Sequence, residues 1–236
     1  MKKVGIIMAM EAEAAQLIHL LGLNKFCPKA FYEKMPMQFY SGRYKNRLEI
    51  VLGIPGKDLR YNVDQIGTES AAALAFALIS EFQPDLLMNA GTAGSFSSKG
   101  AQIGKVYLSH NCFFFHDHRI PIKGWDQFGL GSYPSLDVGS IALKLNLERA
   151  NISSGNSLDF TQEELLRILS SGAILKEMEA AAIAMIAYQS KTAFFAVKSV
   201  TNLIDLNPDS PSEFEKNFST AVKCLTEKTL QVIDQL

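Results

Sequence analysis

Cysteine is scarce in this chain: Cys27, Cys112 and Cys224 stand far apart in 236 residues, and none belongs to a CxxC pair. An odd, scattered set excludes a disulfide framework and a zinc cluster, and fits reduced thiols in a cytosol. An excess of charge of one sign is lacking too, because 23 basic residues meet 24 acidic ones for a net charge of -1. No broad cationic field is available to hold nucleic acid. No apolar run nears the ~20 residues that span a bilayer. The short run behind Lys2-Lys3 meets Glu11 and Glu13 at once, so it reads as a first strand and not as a signal peptide. The expectation is a soluble, cytoplasmic protein with neither a membrane nor a nucleic-acid partner.

What is present is enough apolar material for a large core. The composition is 47% hydrophobic and 20% charged, and no repeat or linker divides residues 1–236, so one domain is expected. Short apolar or β-branched runs at Val4-Met8, Leu48-Val51, Leu86-Asn89, Val106-Leu108 and Phe194-Val200 alternate with stretches of helical period. The helices are expected at Glu11-Leu21 (closed by Gly22), Asn62-Glu81, Thr161-Leu169, Glu177-Gln189 and Ser212-Leu236. Such alternation predicts an α/β fold around a sheet.

Glu177-Met178-Glu179-Ala180-Ala181-Ala182 puts two carboxylates around a methionine where an otherwise small, apolar helix begins. A carboxylate there can serve the helix start, or accept two neighbouring hydroxyls such as those of a ribose. Ligands of open α/β sheets gather beyond the carboxyl ends of strands. Polar or glycine-rich segments at those mouths are Met10 with Glu13, Asn89-Ala90-Gly91-Thr92-Ala93-Gly94, Ser154-Gly155-Asn156-Ser157-Leu158-Asp159, and Thr201-Asn202. Glu13, in a first helical turn, either complements the helix dipole or deprotonates a water. Gly91-Thr92-Ala93-Gly94 suits a close backbone approach to a ligand and equally a bare tight turn, and no GK[ST] follows it.

His116-Asp117-His118 has the spacing of two residues on one strand face, yet no third ligand is evident, so no metal is expected. A G-x-S-x-G elbow is absent, which leaves a serine hydrolase unsupported. The segment Ile120–Gly129 reads as a loop carrying Trp125 and Phe128, either a lid, a subunit contact, or a loop tucked onto its own domain.

Taken in order, Ile7–Glu13, Asn89–Gly94, Phe115–Ile122, Ser154–Asp159 and Lys176–Ala182 resemble the 5′-methylthioadenosine/S-adenosylhomocysteine nucleosidase family of the nucleoside phosphorylase superfamily, above all its plant-type branch. The resemblance covers nearly the whole chain. It implies a three-layer α/β/α fold with a central mixed sheet, no cofactor, and a homodimer to which Trp125 and Phe128 are candidate contacts. The branch acting on aminodeoxyfutalosine, an adenosine derivative of menaquinone synthesis, is similar in the same residues. It further implies that Glu13 activates the attacking water and that Thr92, with Ala93 and Gly94, forms the cradle beside the ribose. Glu179 would hold the ribose hydroxyls beside Glu177, and Met178 would cover a sugar face. Leu158 would pack on the purine, the backbone at Asp159 would read the adenine edge, and Met10 and Thr201 would border the ligand. Cleavage of the N9–C1′ bond would pass through an oxocarbenium-like state, as in glycoside hydrolysis.

The family pattern places Ser or Thr then Asp after the final strand, the Asp serving purine N7. Here the pair is Thr201-Asn202. An amide can bond to N7 but has no proton to transfer at neutral pH, and loss of a general acid typically costs about 10²–10⁴ in rate. Both an engineered substrate trap and natural divergence produce such an isosteric change. Two other readings stand beside hydrolysis: a binding protein that holds an adenosine derivative uncut, and a phosphate-dependent phosphorylase, against which Glu13 argues by charge.

Overall fold

The computed structural model describes residues 1–28, 34–206 and 210–236. Its strands are β1 (Lys2–Ile7), β2 (Asn24–Phe26), β3 (Gln38–Tyr44), β4 (Leu48–Ile54), β5 (Leu86–Ser95), β6 (Val106–Phe115), β7 (Tyr133–Pro134), β8 (Glu148–Ser154), β9 (Ala173–Glu177) and β10 (Ala193–Leu203). The helices are α1 (Glu11–Leu21), α2 (Thr68–Phe82), α3 (Trp125–Leu130), α4 (Gly139–Leu145), α5 (Gln162–Ser170), α6 (Ala180–Gln189) and α7 (Ser210–Ile233). All the strands join one mixed sheet.

β1 pairs in parallel with β4 and β5, and β5 in parallel with β10. Strands so placed are buried on both faces, which is why their sequences are continuous apolar runs. Along β1 and just past its end, Val4, Ile6 and Met8 enter one core with Leu17 of α1 and Leu225 of α7. Ile7 enters the other, with Leu74 of α2 and Ile183 of α6. Two helical layers therefore sandwich the sheet, as the resemblance implied. The antiparallel strands β3 and β2 extend one edge. At the other, β5, β9, β8, β6 and β10 pair in sequence and β10 returns to β5, so these five close into a ring.

Several boundaries differ from the sequence expectation. The helix expected from Asn62 begins at Thr68, because Asn62 at φ 55° and Gly67 at φ 101° hold backbone geometry that no α-helix accepts. Asn89–Gly94 and Thr201-Asn202 do not follow strands but lie inside β5 and β10, where Asn202 pairs with Gly94 and Gly94 with Lys176. Glu177 is not helical: it closes β9, in register with Ser154 of β8, and α6 starts three residues later. β6 ends at Phe115, so His116-Asp117-His118 is not on a strand; the His118 ring stacks on Phe115 at 4.0 Å. Trp125 and Phe128 sit on a short helix in place of the expected loop, both well exposed.

Candidate active site

One cavity opens where the carboxyl ends of β1, β5, β9 and β10 meet the first turn of α1 and the start of α6. It brings together Met10, Glu13, Thr92, Ala93, Gly94, Leu158, Glu177, Met178, Glu179, Thr201 and Asn202, to which the structure adds Ala9, Ile66, Lys176 and Phe214. Asp159 is exposed and does not line it. The family resemblance also implies that Leu158 and the Pro208-Asp209-Ser210-Pro211 loop border the 5′-substituent; Pro208 and Asp209 lie outside the described residues.

Glu13 is brought inward because α1 follows β1 after only three residues, which aims the first helical turn over the strand ends. The side chain is 2% exposed. One carboxylate oxygen accepts from the Thr92 backbone N–H at 2.8 Å and from its hydroxyl at 2.9 Å, leaving the second free of those donors. Burial pushes its pKa up, while the Lys198 ammonium and the Thr92 donors pull it back. A side chain at position 91 would start 3.3 Å from Lys198 Nζ and 3.7 Å from both Glu13 oxygens, so glycine keeps this pocket of charge open.

The two acids of the Glu-Met-Glu segment meet different partners. The Glu177 carboxylate is consumed internally: it accepts from Lys198 Nζ at 2.7 Å, from the Ser154 hydroxyl, and from the backbone N–H groups of Glu179 and Ala180. It is thus the anion at the N-terminus of α6. Although it borders the cavity, its lone pairs are largely spent, unlike those of Glu179. The Glu179 carboxylate has one oxygen on the Gly67 N–H at 3.0 Å. Burial first, then the Glu177 charge, push its pKa up to about 7, against the pull of Lys198.

That shift yields a stability prediction. The folded pKa lies above the ordinary 4.5, so the carboxyl favours the fold fully below the ordinary value, and that contribution is lost as pH rises through about 7. A glutamine cannot ionise and retains an acceptor for Gly67. Ligand-free Glu179→Gln is therefore expected to exceed the parent by about 1–3 kcal/mol at pH 8 and to match it near pH 5. Urea unfolding at both pH values measures this, and a variant no more stable at pH 8 would contradict the assigned burial cost.

On β10 the Thr201 hydroxyl donates to Asn202 Oδ1 at 2.9 Å. The Asn202 amide nitrogen lies 3.0 Å from the point where a side chain on Gly94 would begin, so Gly94 clears the space it occupies. Asp205 is committed elsewhere: its carboxylate accepts from the Ser97 and Ser98 N–H groups at 2.7 and 2.8 Å, and it is not part of the cavity wall.

The loop after β8 closes another side. Gly155 lies on the ring of buried His116, where any side chain would collide. Asn156 links this loop to α2, accepting from the Thr68 N–H at 2.8 Å and donating to its hydroxyl at 2.7 Å. Burial holds His116 down to about 4, so it is neutral near pH 7. Among the described residues no group of three His, Cys, Asp or Glu side chains is placed to hold a metal, and no helix is long and apolar enough to cross a membrane.

Sequence reasoning passed over two cations here, Lys176 and Lys198. The only available signal was a lysine inside an apolar strand, as in Phe194-Phe195-Ala196-Val197-Lys198, where a charge needs a buried partner.

The family model described as the phosphorylase superfamily matches residues 3–234. The chain is 35% identical over 231 residues to a 5′-methylthioadenosine nucleosidase of Arabidopsis thaliana, covering 98% of this chain and 86% of the relative. It is 36% identical over 228 residues to a 5′-methylthioadenosine/S-adenosylhomocysteine nucleosidase of the same plant, covering 97% and 89%. The solved apo structure of Arabidopsis thaliana 5′-methylthioadenosine nucleosidase superposes with a TM-score of 0.95 at 34% identity, over 99% of this chain and 95% of that one. Fold and family model together define a phosphorylase-superfamily enzyme. Within that superfamily the chain belongs to the 5′-methylthioadenosine/S-adenosylhomocysteine nucleosidase family, a family of N-glycosyl hydrolases.

Proposed function

We propose that this chain is a nucleosidase for a 5′-substituted adenosine, one of methylthioadenosine, adenosylhomocysteine or aminodeoxyfutalosine, and that Asn202 slows it. The observation that carries the reading is the convergence of Glu13, Glu179 and Asn202 on one cavity. In this reading Glu13, anchored through one oxygen by Thr92, uses the other to orient and deprotonate a water beneath C1′. Glu179 accepts the ribose hydroxyls, and the negative field of the two acids stabilises the cationic sugar as the bond to N9 breaks. Met178 and Met10 supply soft apolar contacts to the sugar, Leu158 covers the purine, and Asn202 bonds to N7.

Incubating the Asn202→Asp form separately with the three nucleosides, and measuring free adenine, tests the assignment and ranks the substrates. No adenine from any of them would overturn it. Asn202 itself favours a second reading, a protein that binds the nucleoside without cutting it; tight binding with no release in the aspartate form would establish that one. Release that depends on added phosphate would instead mark a phosphorylase.

The chain is further proposed to act in the cytoplasm as a single-domain homodimer. Support comes from the exposed Ile122, Trp125 and Phe128, clustered on and beside α3, since grouped exposed apolar side chains mark contact surfaces. Sedimentation should give a dimer that Trp125→Glu with Phe128→Glu converts to monomer; a monomeric parent would defeat the proposal.

A further inference from the structure

Lys176 does something the water, the ribose acids and position 202 do not account for. It sits on β9 in register with Gly94 of β5 and Ser153 of β8, and Gly94 is in turn in register with Asn202 of β10. The lysine and Asn202 thus flank a glycine on the cavity floor. Its side chain lines the cavity and is 4% exposed. A lysine at such burial ordinarily has a carboxylate partner, and the described residues give it none in direct contact. Its Nζ instead donates to two backbone carbonyls, of Ser157 at 2.5 Å and Leu158 at 3.1 Å.

Those carbonyls belong to the loop that closes the cavity after β8. The first half of this loop is held independently: the Gly155 N–H reaches the Glu177 carbonyl, and the Asn156 N–H donates to Asp117 at 2.8 Å. The Ser157-Leu158 half has no regular structure, and Lys176 reaches it from below. Two charge-assisted bonds from one ammonium tie down two consecutive peptide units of the loop.

We infer that Lys176 is the positioning residue for the nucleobase, its ammonium fixing the Ser157-Leu158 backbone against which an adenine edge is held. This rests on the proposed reading, in which adenine occupies that side of the cavity. The residue acts through the loop and takes no part in bond cleavage.

The tether is charge-dependent. Burial pulls the Lys176 pKa down to about 8, opposed by Glu164 of α5, Asp159 of the loop, Glu177 of β9 and Asp117 beyond β6; His116 is a further titratable neighbour, and Glu179 shares the cavity with a pKa of about 7. As pH rises through that value the ammonium becomes an amine, its bonds to the two carbonyls weaken, and the loop loosens. His116 is neutral throughout this range and the pKa of Glu164 is lowered, so neither changes charge there.

Calorimetric titration of the protein with adenine, between about pH 7 and about pH 9 on either side of the lysine's titration, tests this. The parent is expected to lose about tenfold in affinity across that span, the scale of one charge-assisted hydrogen bond. Lys176→Met should bind about tenfold more weakly at pH 7 and show no further fall. Lys176→Arg, which keeps its charge, should retain affinity at both ends. If the methionine form fails to fold, the comparison of parent with Lys176→Arg decides, because Glu179 titrates near 7 in both: a flat parent profile, or an equal fall in the arginine form, overturns the inference. Equal affinity and equal pH course in parent and methionine form also overturn it, leaving the proposed function standing. No adenine binding by the parent at any pH overturns both.

Discussion

Replacing Asn202 with aspartate is expected to raise adenine release by about 10²–10⁴ at saturating nucleoside, while changing nucleoside affinity little. The rate term follows from proton inventory. As the N9–C1′ bond breaks, the purine gains electron density that a proton at N7 must neutralise, and an amide has none to give near neutral pH. The small affinity term follows from shape, since aspartate and asparagine are isosteric. The Thr201 hydroxyl that now donates to Asn202 Oδ1 would donate equally well to a carboxylate. Asp205 does not take over, because it is held by Ser97 and Ser98 outside the cavity. Single-turnover measurement of adenine, with binding measured separately, distinguishes the two terms. Equal, negligible rates in both forms would remove position 202 from the mechanism, and rapid release by the parent would mean that no acid is missing.

Lys198→Met is expected to destabilise the fold by about 3–5 kcal/mol. Lys198 and Glu177 are each 1% exposed at the side chain and 2.7 Å apart. Methionine fills the space of lysine but leaves Glu177 buried without its 2.7 Å counter-ion, with Glu13 and Glu179 on the same cavity. The pKa of Glu13 and of Glu179, each lowered by Lys198 in the parent, would rise further. Adding Glu177→Gln removes the orphaned charge, keeps acceptors for the Ala180 N–H and the Ser154 hydroxyl, and should recover about half of the loss. Chemical denaturation of the two variants against the parent gives both values. A Lys198→Met protein within about 1 kcal/mol of the parent would show that the ion pair is not what holds this wall together.

The elements that were legible carried strong local signals. Helix α1 ends where Gly22 allows a left-handed residue, at φ 63°, and α5 opens on a Thr161–Glu164 capping box. The parallel strands were visible as apolar runs because both faces are buried. β8 and β9 escaped notice: Glu148-Arg149-Ala150-Asn151 is too polar to look like a strand, and the partners that complete it are remote in the chain. The start of α2 was misplaced for a related reason, since the backbone at Gly67 is turned to donate to Glu179, 112 residues away.

The sequence by itself determined the alternation of strands and helices, the family, and the residue types available for chemistry, including the amide at position 202. These depend on local period, on short motifs in fixed order, and on side-chain identity. Tertiary structure alone decided which partners each acid meets. Glu177 and Glu179 are two residues apart and alike on paper, yet Lys198, Ser154 and the backbone amides of Glu179 and Ala180 converge on the first, while among the described residues one N–H, of Gly67, reaches the second. A carboxylate's role follows from its unfilled lone pairs and local dielectric, and both are set by groups that only the folded chain brings into contact.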